Sequence, residues 1–264
     1  MRTSLSQMMG IARYEYRMHW RRRGLLVITL AMLSITLIAA FLTRHEMGNL
    51  EQIAHKREVL TNSILSLTFI PVAAVVGIIV PFIMADSVPR DKKLGVRELL
   101  DSTPVSPATY LAGKVLGGWL SLSVSVAGVV IATGLTWRLI FGPFDVLSHL
   151  EAWLVGGVSM IIINVGLTIL LCASQPDVRR AILITVIFFV LLPGVIGFNP
   201  RGNLWDSFNP IRPGIFFYYA NLVDTAQETT PILSVEMTII TGLAQLGLAW
   251  LVAWNWILRR TGHD

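Results

Sequence analysis

Long runs of apolar residues alternate with short polar stretches along this chain, and the pattern predicts helices that cross a membrane. Each run is about 20 residues long, which is enough for an α-helix to span a hydrocarbon core about 30 Å thick. A β-barrel would instead show short segments in which apolar and polar residues alternate. We therefore predict an all-α membrane protein with six transmembrane helices. The six segments are 25–43, 64–85, 115–136, 152–173, 181–198 and 237–258.

Composition and charge give the predicted spans an orientation. The chain is 54% apolar and 14% charged, whereas an ordinary soluble domain is about 25% charged. Of the 21 Lys and Arg residues, 15 lie in the segments on the side of the two termini. Because basic residues favour the cytoplasmic side, we predict a multi-pass protein with both termini in the cytoplasm. The basic residues flank spans and form no separate domain, which argues against nucleic-acid binding.

The segment before the first span, 1–24, has the pattern of an amphipathic helix. Ile11, Tyr14 and Met18 recur at helical spacing, and Arg13, Arg17 and Arg21 occupy a neighbouring face. Such a helix is expected to lie in the membrane interface, with its arginines among anionic headgroups of the lipid bilayer. The alternative is a simple basic flank of the transmembrane domain, which we assign to 25–264.

A charged loop at 86–114 separates the second and third spans and has the pattern of two helices joined by a turn. Pro89 suits the first turn of a helix, where its missing N–H is harmless. The Thr103-Pro104 pair is predicted to end that helix, because the residue before proline is disfavoured in helical geometry. Ser106 as N-cap and Pro107 as first residue then begin a helix that continues into the third span. A short amphipathic helix held between two spans has the shape of a docking element, and an ordinary solvated loop is the alternative.

This loop resembles the first cytoplasmic loop of type-two, exporter-like permeases of ABC transporters. Members of this class show an acidic, leucine-rich stretch, a Ser/Thr-Pro-Val-Ser turn and a Gly-Lys pair that enters the third span. The basic amino-terminal helix, the six spans and the long external segment between spans five and six fit the same class. The matching residues are Glu98, Leu99, Leu100, Ser102, Thr103, Pro104, Val105, Ser106, Gly113 and Lys114.

The resemblance implies that the loop forms a cytoplasmic coupling helix, which docks on a separate ABC ATPase subunit. Two permeases, identical or homologous, and two ATPases would form an exporter of an amphipathic substrate in the plasma (bacterial inner) membrane. The sequence contains no G-x-x-x-x-G-K-[ST] motif, so ATP and Mg would bind the partner. We therefore predict that this chain needs no cofactor and is not an enzyme by itself. The implied docking residues are Arg90, Lys93, Leu94, Arg97, Glu98, Leu99, Leu100, Asp101, Thr103 and Pro104.

Small and neutral polar residues follow helical faces within several spans. Close helix packing is one interpretation of these stripes, and a weakly polar substrate pathway is the other. No Asp, Glu, Lys or Arg lies near the centre of a span, which disfavours an ion-coupled carrier. An uncharged channel or a secondary carrier is the alternative to the exporter. The candidate pathway residues are Ser121, Ser125, Asn164, Thr168 and Gln245.

The external loop at 199–236 follows a fifth span that proline and glycine interrupt. The resemblance implies that this loop forms short re-entrant helices that cap the exit, and an aromatic interface anchor is the alternative. The candidate cap residues are Phe216, Phe217, Tyr218 and Tyr219.

A metal site and a catalytic site are both predicted to be missing. Glu51, His55 and Glu58 share a helical spacing, but the basic residues beside them favour a solvated charged face over metal binding. No G-x-S-x-G motif that would suggest a nucleophile occurs in a span.

The predicted topology can be tested with single cysteines and an impermeant thiol reagent. Cysteines introduced at Gln52, Ser148 and Gly202 should react in intact cells, and a cysteine at Lys92 should not. Labelling of Lys92→Cys in intact cells would contradict the predicted orientation.

Overall fold

The computed structural model describes residues 2–46, 77–96, 102, 105–143 and 146–191, and seven separate positions between 243 and 254. Every regular element in these residues is helical, which confirms the all-α class for this part of the chain. Residues 77–84 are helical as well, and π-helical segments cover Trp153–Val158 and Ile187–Leu191. The α-helices are α1 (Arg2–Arg21), α2 (Gly24–Glu46), α3 (Ser87–Lys93), α4 (Pro107–Phe141), α5 (Val146–Ala152), α6 (Ser159–Ala173) and α7 (Val178–Val186).

Two of these helices, α2 and α4, are long and apolar enough to cross a membrane. Only 28% of the apolar window of α2 and 44% of that of α4 is buried inside the protein. Large apolar side chains therefore face outwards, with Phe41 69% exposed on α2 and Leu139 86% exposed on α4. An extensive exposed apolar surface of this kind is what a helix in contact with lipid presents.

The finer parts of the predicted topology stay predictions. The spans at 64–85, 181–198 and 237–258 extend beyond the described residues, and the external loop at 199–236 with its re-entrant helices lies outside them. The described residues therefore support a helical protein with two candidate spans, and they leave the count of six untested.

Helix α1 packs along the first half of α4, and two glycines of α4 permit the close approach. A Cβ atom at Gly117 would lie 2.5 Å from Cβ of Glu15 and 2.8 Å from the carbonyl oxygen of Ala12. A Cβ atom at Gly113 would lie 2.8 Å from Cβ of Ile11. Small residues four positions apart let two helical backbones approach closely, as in other membrane helix pairs.

The opposite side of α4 receives α6. A Cβ atom at Gly118 would lie 2.8 Å from Cγ1 of Val165, and the indole nitrogen of Trp119 donates to the carbonyl oxygen of Ile162 at 3.1 Å. Helix α2 also packs on α4, and the buried apolar core lies among these helices. Helix α4 is thus the central element of the described structure.

The residues that join α1 to α2 form a tight turn. Arg23 adopts a left-handed backbone conformation with φ of 59°, which is unusual for any residue other than glycine, asparagine or aspartate. The exposed face of α1 carries the predicted arginines Arg13, Arg17 and Arg21, and Tyr14 is 66% exposed. The placement of this helix in a membrane interface stays a prediction.

The start of α4 confirms the predicted cap. Ser106 has extended geometry, its hydroxyl accepts from the backbone N–H of Thr109 at 3.2 Å, and Pro107 follows as the first helical residue. This arrangement satisfies one of the N–H groups that a helix leaves without a partner at its beginning.

The helix predicted to begin near Pro89 is interrupted after Lys93, and its predicted end at Thr103-Pro104 lies outside the described residues. Pro89 does lie in the first turn of α3, but this helix ends at Lys93. Gly95 then adopts a left-handed φ of 69°, and its N–H bonds to the carbonyl oxygen of Lys92 at 3.3 Å. A glycine in this conformation commonly ends a helix, because it has no Cβ atom to oppose the turn.

The close contact at Gly117 can be tested against an open position on the same helix. Gly117→Ala should destabilise the protein by about 1–3 kcal/mol, because the added methyl group meets backbone and Cβ atoms of α1. The measurement is the midpoint of thermal unfolding in detergent micelles.

Gly128 supplies the matched control, since a Cβ atom there meets no described atom within 4 Å. Gly128→Ala should leave the midpoint unchanged or raise it, because alanine favours a helix over glycine by up to about 1 kcal/mol. Equal midpoints for the two variants would show that the α1–α4 contact does not need a glycine.

Candidate functional site

A buried lysine, Lys114, joins three helical elements near the beginning of α4. Its side chain is fully buried, and its ammonium forms an ion pair with Glu15 of α1. The same ammonium lies 2.7 Å from Asp91 of α3 and donates to the carbonyl oxygen of Ser87 at 3.0 Å. An ammonium group has three donor hydrogens, so these partners account for all of its hydrogen-bonding capacity.

Tyr110, one turn before Lys114 on α4, supports the same centre. Its hydroxyl donates to Oδ2 of Asp91 at 2.7 Å, and the ammonium of Lys114 lies 5.4 Å from the centroid of its ring. The position of Asp91 is therefore set by two groups of α4 together, a cation and a hydroxyl. Such charge-assisted hydrogen bonds are stronger than neutral ones.

Glu15 lies on the buried face of α1 with Ala12 and His19. Burial raises the pKa of the Glu15 carboxyl, and the charge of Lys114 opposes that rise in part. Nε2 of His19 lies 3.6 Å from Oε2 of Glu15. Burial, together with the positive charges of Arg22 and Lys114, lowers the pKa of His19 to about 4, so this imidazole is neutral at pH 7.

A second, half-buried ion cluster lies beside the first. Both carboxylate oxygens of Asp86 accept from Nη1 of Arg22 at 3.2 Å, and Nη1 of Arg90 lies 3.6 Å from Oδ2 of Asp86. Burial raises the pKa of Asp86, and Arg22 opposes that rise. Nη2 of Arg90 also approaches the sulfur of Met18 on α1 at 2.7 Å.

The charges of the two clusters compensate each other. Counted with every group ionised, Lys114, Glu15 and Asp91 carry one net negative charge, and Arg22, Arg90 and Asp86 carry one net positive charge. The buried ions come from α1 and the residues that follow it, from α3 and the turn before it, and from α4. Their contacts join three elements of the fold. The described residues hold no group of three His, Cys, Asp or Glu suited to a metal ion.

The described docking candidates differ in exposure. Arg90 is partly buried and contacts Asp86 and Met18. Lys93, the last residue of α3, and the following Leu94 are exposed, and Leu94 is 66% exposed. The other predicted docking residues lie outside the described residues, namely Arg97, Glu98, Leu99, Leu100, Asp101, Thr103 and Pro104.

The candidate pathway residues of α4 and α6 are buried. Their hydroxyls donate to backbone carbonyl oxygens: Ser121 to that of Gly117 at 2.7 Å, Ser125 to that of Ser121 at 3.3 Å, and Thr168 to that of Asn164 at 2.6 Å. These hydroxyls bond to backbone carbonyls one turn earlier in their own helices, and their role in a pathway stays a prediction. Asn164 is fully buried as well. Gln245 and the candidate cap residues Phe216, Phe217, Tyr218 and Tyr219 lie outside the described residues.

Sequence reasoning missed the roles of Glu15, His19 and Asp91, and used Lys114 only as part of a motif. A signal for Glu15 and His19 exists, because Ala12, Glu15 and His19 follow the three- and four-residue spacing of one helix face. No spacing in the sequence relates that face to Asp91 or Lys114, which lie far away along the chain.

The described residues thus form an all-helical structure in which two helices are long and apolar enough to cross a membrane. No model of a known protein family matches this chain, and no curated protein matches it at a significant level.

Removal of the lysine tests the ion network. Lys114→Met should destabilise the protein by about 3–5 kcal/mol, because it leaves Glu15 and Asp91 buried without their common cation. Thermal unfolding in detergent micelles at pH 7 measures the effect.

The double variant Lys114→Met, Glu15→Gln serves as the control, since it restores the original net charge of the cluster. It should recover part of the lost stability. A single variant as stable as the parent would contradict the assigned role of Lys114.

Proposed function

We propose that this chain is the transmembrane permease subunit of an ATP-driven ABC exporter. In this proposal it is a multi-pass protein of the plasma (bacterial inner) membrane, with six spans and both termini in the cytoplasm. It pairs with a second permease copy or homologue and with two ABC ATPase subunits that bind ATP and Mg.

The observation that carries the proposal is the difference in exposure between the middle and the end of α3. Asp91 is buried and Arg90 is partly buried, and their contacts hold α3 against α1 and α4. The helix ends in Lys93, which is followed by Leu94, a leucine that is 66% exposed. A helix end held by buried ions, with an apolar side chain turned outwards, suits the docking of a separate protein.

Two features of the chain support the other parts of the proposal. The outward-facing apolar side chains of α2 and α4 fit a lipid environment. The sequence contains no phosphate-binding loop of the G-x-x-x-x-G-K-[ST] type, so energy from ATP has to come from a partner.

Aspartate substitutions in the loop test the proposal. Leu94→Asp, Leu99→Asp and Leu100→Asp should each leave the chain inserted in the membrane but weaken its binding to the ATPase. Burial of a leucine contributes about 1.5–3 kcal/mol, which corresponds to a factor of about 10 to 150 in affinity. The measurement is the amount of P-loop ATPase that co-purifies with the tagged chain, together with ATP hydrolysis by the complex.

Leu94→Met is the matched control, because methionine keeps an apolar side chain of similar size at the same position. It should retain the ATPase at the level of the parent. If the aspartate variants also retain it, the loop is not the docking site. If the parent chain binds no ATPase, the uncharged channel or secondary carrier becomes the better description.

A further inference from the structure

Three consecutive residues of α3 bind three different helices. Arg90 contacts the sulfur of Met18 on α1 at 2.7 Å. Asp91 accepts from Lys114 and Tyr110 on α4, each at 2.7 Å. Successive residues of an α-helix point about 100° apart, so three neighbours can face three separate partners.

Lys92 supplies the third of these contacts, at the carboxyl end of α6. Its ammonium donates to the carbonyl oxygen of Ala173 at 2.9 Å and to that of Gln175 at 2.7 Å. The last carbonyl groups of a helix have no partner within the helix, and a cation near them also interacts favourably with the negative end of the helix dipole. Lys92 thus acts as a side-chain cap of α6, although it belongs to α3.

Two other hydrogen bonds at this end of α6 are local. The N–H of Gln175 bonds to the carbonyl oxygen of Cys172 at 3.1 Å, and the hydroxyl of Ser174 bonds to that of Leu171 at 3.0 Å. These bonds shape the turn itself. The hydrogen bonds from Lys92 connect the turn after α6 to α3.

Lys93 provides a direct contrast with Lys92. The two lysines are neighbours of identical chemistry, but Lys93 is exposed, whereas Lys92 is partly buried. A difference between variants at these two positions therefore reports the geometry of the contact and not the charge of the loop.

We propose that Lys92 is a positioning residue that makes the carboxyl end of α6 follow α3. Arg90 and Asp91 tie α3 to α1 and α4, and Lys92 extends this connection to α6. A displacement of α3 then reaches three helices together. This inference rests on the proposed function in one respect, since the docked ATPase is the source of the displacement.

Distances between spin labels on the isolated permease test the connection without the ATPase. One label is placed at Tyr14→Cys on α1, which is 66% exposed, and the other at Arg179→Cys, an exposed position in the first turn of α7. Cys172 is buried and stays in place, and labelling of the parent without added cysteines checks that it does not react. The distance distribution is measured in lipid nanodiscs by pulsed electron paramagnetic resonance.

The parent, Lys93→Met and Lys92→Arg should give the same distance distribution, since arginine can also donate to carbonyl groups at the end of α6. Lys92→Met should give a broader distribution with a shifted mean, because α6 loses its polar connection to α3. If Lys92→Met does not fold, Lys92→Gln is measured in its place, since its shorter amide does not reach both carbonyl groups. Identical distributions for the Lys92 and Lys93 variants would overturn the inference.

Co-purification with the ATPase separates this inference from the proposed function. Lys92→Met should retain the ATPase, whereas Leu94→Asp should release it. Loss of the ATPase from Lys92→Met to the same degree as from Leu94→Asp would assign Lys92 to the docking surface and overturn its positioning role. Retention by Leu94→Asp would contradict the proposed docking site, while the spin-label comparison would still stand.

Discussion

The arrangement of this protein depends on one ammonium group, that of Lys114, which is fully buried and shared by the carboxylates of Glu15 and Asp91. Removing a charge from water costs several kcal/mol, and the cost is offset only where partners of opposite charge and further hydrogen bonds surround it. The partners here come from α1 and α3, and Lys114 itself belongs to α4. Separation of any of these elements would leave an unpaired charge in the interior.

The close packing of α1 on α4 is a condition for this ion network. The Glu15 side chain can reach Lys114 only if the two helices lie close together, and Gly113 and Gly117 provide the space. The glycines and the buried ions therefore act together. One set removes the steric obstacle, and the other supplies an electrostatic reason for the helices to stay in contact.

The described residues of the loop between the two apolar segments differ in exposure. Asp91 and Lys92 are held by an ion pair and by hydrogen bonds to a helix end, and Leu94 is 66% exposed. In the proposed exporter, this division separates two tasks. The exposed end of α3 binds the ATPase by apolar contact. The buried contacts of α3 transmit the movement of this helix to the other helices, and this transmission requires a fixed geometry.

The sequence by itself determined the helical class, the apolar character of α2 and α4, and the start of α4 at Ser106-Pro107, because periodicity and caps are local properties. The docking element in the loop stays a prediction, and the sequence analysis missed the helix end before Gly95. The chain changes direction after Lys93 because Gly95 adopts a left-handed conformation. A glycine in the sequence does not by itself predict this, since a helix can also continue through glycine at a cost of about 1 kcal/mol. Only the tertiary structure decided that Glu15, Asp91 and Lys114 meet, because a buried ion pair joins residues that have no periodic relation along the chain.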